Sequence, residues 1–307
     1  MSGRRVDLSV VIPFIIFTAI WGSTWIVIRD QLGIVPPQWS ITYRFVIAAM
    51  AMAAITRFRG QSLRLPVGGI AVAAILGFFQ FVINFMAVYF AEHHITSGLV
   101  ATVFALLLIP NSLLAWAYLG QRPTSRFAWG SLVAIAGLVM LFAQELRENP
   151  ARTDSIMIGI ALTLVGMLGA SAANVFQGRR EVRRYPLFAI LTWAMALGAV
   201  MDGVIAILTA GPPVIDTRPG YWFGVVYLAV FASALAFSLY IPVMRKIGPG
   251  KAAYSSAIVP IIAMGFSTWL EDYRWSALAI AGAVLALGGM VGALSRSRSV
   301  VPAPDAA

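Results

Sequence analysis

The sequence predicts an all-α integral membrane protein, with ten transmembrane helices forming two inverted five-helix repeats. Three observations point there. Ten mostly uncharged runs of about 17–22 residues follow one another, each long enough to cross a hydrocarbon core about 30 Å thick as a helix. The 307-residue chain is 60% hydrophobic and 11% charged, whereas a soluble protein carries about 25% charge. The third observation is that residues 97–143 are echoed by residues 251–294.

The spans are expected near 8–28, 39–56, 67–90, 97–118, 127–143, 156–176, 187–208, 221–243, 252–270 and 275–294. Arg4 and Arg5 before the first run resemble a signal peptide. The run is long, contains Trp21 and Trp25 and lacks a small-x-small cleavage site, so it reads as a retained span. With the N-terminus cytoplasmic, 16 of the 22 basic residues face inward: Arg4, Arg5, Arg57, Arg59, Arg64, Arg122, Arg126, Arg179, Arg180, Arg183, Arg184, Arg245, Lys246, Lys251, Arg296 and Arg298. Only Arg29, Arg147, Arg152, Arg218 and Arg274 face outward. Basic loop residues stay on the cytoplasmic side, so both termini are expected there.

In the second span, Arg44 either snorkels to the outer headgroups or stands at an outer vestibule, meeting a substrate carboxylate or an acid. Gln80 and Asn84 in the third span share one face, which should look inward because unpaired amides are costly in lipid. They are expected to bind substrate. Pro110 in the fourth span and Pro260 in the ninth remove a backbone donor at matching positions, and both are expected to act as hinges of the gate. Asn111 follows the first proline, and Asn174 with Gln177 forms a wider-angled polar pair in the sixth span. Asp202, the one carboxylate well inside a span, faces an external vestibule, pairs with Arg44 or couples to protons. Trp21 and Trp25 share a mid-helix face; with Phe81, Phe85 and Tyr254 they are expected to line an apolar substrate pocket. Trp39, Trp129, Trp222 and Trp275 sit at span ends as interfacial anchors. In the fifth and tenth spans, Gly130/Ala134, Gly282/Ala286 and Gly288/Gly292 have the spacing of close helix contacts.

The echo between the halves has an offset of about 150 residues, and five spans per copy would make the copies antiparallel. The expected divisions are a first repeat at 1–144, an external linker at 145–155, a second repeat at 156–295 and a disordered cytoplasmic tail at 296–307. The net charge of +10 is spread over six cytoplasmic ends rather than one stripe, so lipid headgroups are the expected partners and nucleic acid is not. No metal or cofactor is expected. The adjacent His93 and His94 diverge by about 100°, and Gly248-Pro249-Gly250-Lys251 lacks a strand-loop-helix setting. No catalytic set is recognisable, and with no cysteine there is no thiol chemistry.

Several short motifs, in order, resemble the drug/metabolite transporter superfamily, in its ten-helix branch built from the EamA domain. They are Trp21-Gly22-Ser23-Thr24, then Pro37 with Tyr43-Arg44-Phe45, and Pro110 with Leu119-Gly120-Gln121. Ser233-Ala234-Leu235-Ala236-Phe237 follows, then Pro260 with Leu270-Glu271-Asp272. Within the superfamily the chain is similar to aromatic amino-acid exporters of the YddG type. It departs at Gln121, where the family carries an acid that Glu271 keeps in the second copy. The resemblance implies a monomeric secondary transporter that exports amino acids and other small metabolites by alternating access. Its central cavity would be lined by spans 1, 3, 4, 6, 8 and 9. A carrier of other cargo, a membrane-embedded enzyme and a non-transporting bundle are the competing readings.

Overall fold

The structure, a computed structural model, describes residues 7–120, 122–247 and 255–294. Those residues are helical with no strand among them. Eight helices are long and apolar enough to cross a membrane: α1 Leu8–Asp30, α2 Pro37–Phe58, α3 Val67–Ala91, α4 Ser97–Tyr118, α5 Ser125–Glu148, α6 Thr153–Gln177, α7 Leu187–Ala210 and α8 Pro219–Val243. Two shorter apolar helices follow, α9 Ser255–Leu270 and α10 Ala277–Leu294. Among the described residues a helix therefore stands at each of the ten expected spans.

Local chemistry sets the helix ends. Asp7 Oδ1 accepts Ser9 N–H at 3.1 Å to start α1, and Thr124 Oγ1 accepts Phe127 N–H at 3.2 Å to start α5. Pro37 and Pro219 fill first-turn positions that need no donor. Beyond α4, Gly120 stands at φ 70°, a left-handed position that favours glycine.

The expected linker at 145–155 is mostly helix. α5 continues through Glu148, where the Gln144 amide bonds the Glu148 carboxylate, and a 3-10 turn at Pro150–Arg152 leads into α6. Polar i, i+4 pairs extend a helix as well as they solvate a loop, which composition alone does not distinguish.

Hydrogen bonds between loops sort the two ends of the bundle. His94 O accepts Arg152 Nη2, Gly211 O accepts Trp39 Nε1, Gln31 Oε1 accepts the Tyr89 hydroxyl and Glu271 accepts Ser97 N–H, which gathers loops 31–36, 92–96, 149–152, 211–218 and 271–276 at one end of the bundle, the acid-bearing end. At the opposite, basic end, Leu63 O accepts Trp193 Nε1.

α1 packs on α8 and α9, and α6 on α3 and α4. α2 packs on α7 and α8, α7 on α2 and α3, α4 on α9, and α5 on α10. Exchanging α1–α5 for α6–α10 in order leaves this pattern unchanged.

α5 and α10 meet backbone to backbone: a Cβ on Gly130 would stand 2.6 Å from Gly289 O, and one on Gly282 2.7 Å from Gly137 O. Such approaches let dispersion hold helices together where lipid offers no hydrophobic drive. The expected Gly130/Ala134 and Gly282 pairing is realised, with Gly289 and Ala293 completing it. Gly288 is not part of it, since no atom lies within 4 Å of where its Cβ would be.

α2 and α7 run antiparallel. Thr56 and Thr192 hydroxyls meet at 3.2 Å near the basic end, and Gln38 Nε2 donates to Thr209 Oγ1 at 3.2 Å near the acid-bearing end. Trp39 departs from its expected place as an interfacial anchor: it is 5% exposed, held between α2 and the end of α7.

Candidate functional site

Two helices are interrupted in the same way, one in each half. α3 widens into π-helix at Phe78–Ile83 and α8 at Tyr227–Leu235. In α3, Asn84 N–H bonds Phe79 O, five residues back, so Gln80 O loses its α-helical donor. The Asn84 side-chain amide fills the gap, donating to Gln80 O at 3.3 Å. In α8, Ala236 N–H bonds Phe231 O, and the corresponding carbonyl, Ala232 O, accepts Trp21 Nε1 of α1 at 3.1 Å. Each π segment thus frees one carbonyl, and in each a side-chain N–H takes it. Non-helical backbone at membrane depth is tolerated where protein satisfies it, and π segments concentrate at functional positions.

Asn84 and Trp21 were both expected in the site from sequence, and the structure gives them these equivalent roles. Asn84 is 5% exposed and its Oδ1 has no hydrogen-bond partner; Trp25 Nε1 is likewise buried and unpartnered, with its ring 5.2 Å from Phe104. Gln80, one turn before Asn84, is half-buried. Phe81 does not line an open pocket with Trp25. It is 1% exposed, its ring 4.8 Å from that of Phe45, because Gly198 of α7 leaves room for it in the core. Tyr254 lies outside the described residues, as does Gln121.

The two prolines behave differently. At Pro110 the missing N–H leaves Leu106 O to accept from Ile109 N at 2.8 Å, and α4 is broken at Leu106–Leu107. α9 runs unbroken through Pro260. Beyond the break α4 leans on α6, with Asn174 Nδ2 3.5 Å from Asn111 Oδ1. A cleft of about 130 Å³ flanks Pro260, lined by Thr102, Met264, Trp275 and Leu287 among others.

Arg44 neither snorkels nor meets an acid. It is 2% exposed and donates through Nε and Nη2 to Ser233 Oγ, at 3.4 and 3.3 Å. Its guanidinium lies 4.3 Å from the Phe85 ring centre. Ser233 Oγ in turn donates to Leu228 O in the π segment of α8, so Arg44 ties the first half to the interruption in the second. Its Nη1 has no partner. Asp202 is also fully buried, with both carboxylate oxygens unpartnered, so it opens on no vestibule in this conformation. The two stand at a similar depth but on different faces: Thr42 Cγ2 lies 3.5 Å from a Cβ on Gly203, the neighbour of Asp202, while Arg44, about 200° further round α2, turns to Phe85 of α3 and Ser233 of α8.

Near the acid-bearing end, Glu271 staples α9 to the start of α4. Its oxygens accept Ser97 N–H at 3.1 Å and the hydroxyls of Ser97 and Ser267 at 2.5 and 2.6 Å, and Arg29 Nε lies 3.5 Å away. A carboxylate on a helix N-terminus is electrostatically favoured. Beneath it, a Cβ on Gly98 would stand 2.8 Å from Ser267 Cβ, so that end is closed between α4 and α9. His94 Nδ1 bonds Ser155 Oγ at 2.9 Å, in keeping with the two histidines as polar loop residues. The sequence reading did not single out the π segments, Glu92 or Tyr89. An acid that ends an apolar run looks the same whether it turns inward or outward.

Polar groups lodged in a helical bundle, on interruptions recurring in both halves, define a multi-pass membrane transporter. The chain belongs to the EamA-like transporter family, whose model matches residues 8–143 and again 157–295. It is 28% identical over 271 residues to the uncharacterized inner membrane transporter YedA of Escherichia coli (strain K12), covering 85% of this chain and 84% of that one. Protein PagO of Salmonella typhimurium (strain LT2) is 24% identical over 277 residues, covering 89% and 88%. The "probable amino-acid metabolite efflux pump" of Escherichia coli (strain K12) is 21% identical over 284 residues, covering 90% and 91%. A solved crystal structure shares the fold, with a TM-score of 0.65 and 22% identity over 94% of this chain and 98% of that one. The protein is therefore an inner-membrane transporter of this family.

Proposed function

We propose that the chain exports amino acids, aromatic ones among them, and related small metabolites, by alternating access between two inverted repeats at about 1–144 and 156–295. The acid-bearing end is taken as the periplasmic face, from the distribution of basic residues. The observation that carries this reading is the pair of π segments with captured carbonyls, one per half, against α1 and α6. Paired interruptions in repeat transporters accompany the binding region and its moving parts. Trp21 caps one freed carbonyl and Asn84 the other, and with Trp25 and Gln80 on the same two helices they would offer indoles and amides to an amphipathic cargo. Arg44, Asp202 and the break at Pro110 serve the gate. The difference between a broken α4 and an unbroken α9 fits two halves held in different states. The relative named as an amino-acid metabolite efflux pump supports the cargo class.

The test is uptake of labelled amino acids into proteoliposomes, with and without a pH gradient. Movement of aromatic amino acids is expected; if no amino acid moves under either condition, the cargo assignment fails. Gln80→Ala is expected to slow transport by about three- to tenfold, the worth of one hydrogen bond to cargo, with detergent stability near wild type. Parallel loss of stability would make Gln80 a packing residue.

A further inference from the structure

Immediately after α3 ends at Ala91, Glu92 turns back into the protein. It is fully buried, and neither carboxylate oxygen has a hydrogen-bond partner. Charged groups from three other elements face it: Glu271 after α9, Arg29 of α1 and Arg44 of α2. Tyr89, one turn earlier, is within electrostatic reach and donates its hydroxyl to Gln31 Oε1 at 2.9 Å. His93 follows, and its own basicity is lowered by burial, then by Arg29 and His94. Across this patch α6 presents Ser155, already bonded to His94.

The two carboxylates are provided for unequally. Glu271 holds a helix N–H, two hydroxyls and Arg29, the donors that stabilise an ionised acid. Glu92 holds none. Where two carboxylates share a buried patch, one stays neutral, and here the donors select which. Burial, reinforced by the Glu271 charge and opposed by Arg29 and Arg44, holds the Glu92 carboxyl well above the usual carboxylate range.

We propose that Glu92 is a proton-binding site built into the closed acid-bearing end, so that opening there releases one proton and closing takes one up. The proposal rests on the alternating-access reading but not on the cargo. In the closed state Glu92 is the neutral acid, while Glu271, held by Ser97, Ser267 and Arg29, seals α4 to α9. Opening admits water, and the Glu92 O–H bond breaks, with the proton passing to solution and the charge remaining on the carboxylate. The sign follows from linkage: the closed state binds the proton more tightly, so acidification favours closure. Opening becomes easier as pH rises above the ordinary carboxylate value of about 4.3.

The 307-residue sequence contains no cysteine, so one thiol reports on this end alone. Thr96, half-buried between α3 and α4 with its hydroxyl unpartnered, is a suitable position. Thr96→Cys is labelled with a maleimide from pH 5 to 7, and each rate is divided by that of the unfolded protein at the same pH. The corrected rate is expected to rise about tenfold per pH unit, the slope of a one-proton linkage. With Glu92→Gln, a permanently neutral isostere, it should stay low and flat; Glu92→Leu gives the same readout if the amide variant fails to fold. A flat wild-type profile overturns the proposal. So does a slope that survives in Glu92→Gln, or one that vanishes only in Glu271→Gln. No cargo is present, so a failed amino-acid panel and a failed proton site are separate results.

Discussion

Arg44→Ala is expected to abolish transport and to lower the melting temperature in detergent. The side chain does three things at once. It places a buried cation within electrostatic reach of the Glu92 carboxyl, it stacks on Phe85, and it grips Ser233 in the π segment of α8. Removing it leaves a void beside Phe85 and takes the donor away from buried Ser233 Oγ, and truncating a buried side chain of this size typically costs about 2–5 kcal/mol. Stability alone does not separate folding from function, so Arg44→Lys is the informative partner. It keeps the charge but loses the planar fork that meets both Ser233 Oγ and the ring face. It should melt close to wild type and still transport about tenfold more slowly, through the loss of about 1–2 kcal/mol of hydrogen-bond and cation–π energy. Initial rates in proteoliposomes beside melting curves settle the matter. Near-wild-type transport by Arg44→Ala would show that Arg44 only fills space.

Gly137→Leu carries the second large effect, on stability rather than on rate. α5 and α10 touch along their backbones, and a Cβ on Gly137 would collide with Ala286 N and Gly282 O. No flexible side chain can move aside, so the helices must separate along their length. Overpacking costs about 1–3 kcal/mol in a core that can adjust, and this contact has backbone on both sides. A clear drop in detergent melting temperature is expected. Gly288→Leu, where a Cβ meets no atom within 4 Å, should leave it unchanged. Equal drops in the two variants would mean that the α5–α10 contact is not specific.

The comparison of these glycines shows what could be read from sequence. Small-residue spacing marked Gly130, Ala134 and Gly282 as contact residues, but the same spacing at Gly288 leads nowhere. A period gives the face of a helix without naming its neighbour. Span positions were legible because twenty apolar residues have few other fates in a membrane. Asn84 and Trp21 were legible as polar groups too costly to leave in lipid. Their shared task was not, because a π turn inserts an extra residue that side-chain patterns do not record. The repeated Pro110 and Pro260 likewise suggested equal kinks, whereas α4 breaks and α9 does not. Nothing in the sequence marks Glu92, since its inward turn depends on how α3, α1 and α9 meet at that end.

One labelling experiment reaches the central claim. A lone cysteine replacing Gln80 is probed with a membrane-impermeant maleimide from either face of oriented vesicles. Two lobes rocking about a shared site should let the reagent in from each face in turn, with cargo added on one side shifting reactivity from one face to the other. A thiol that reacts from neither face, or from one face under every condition, would contradict the account.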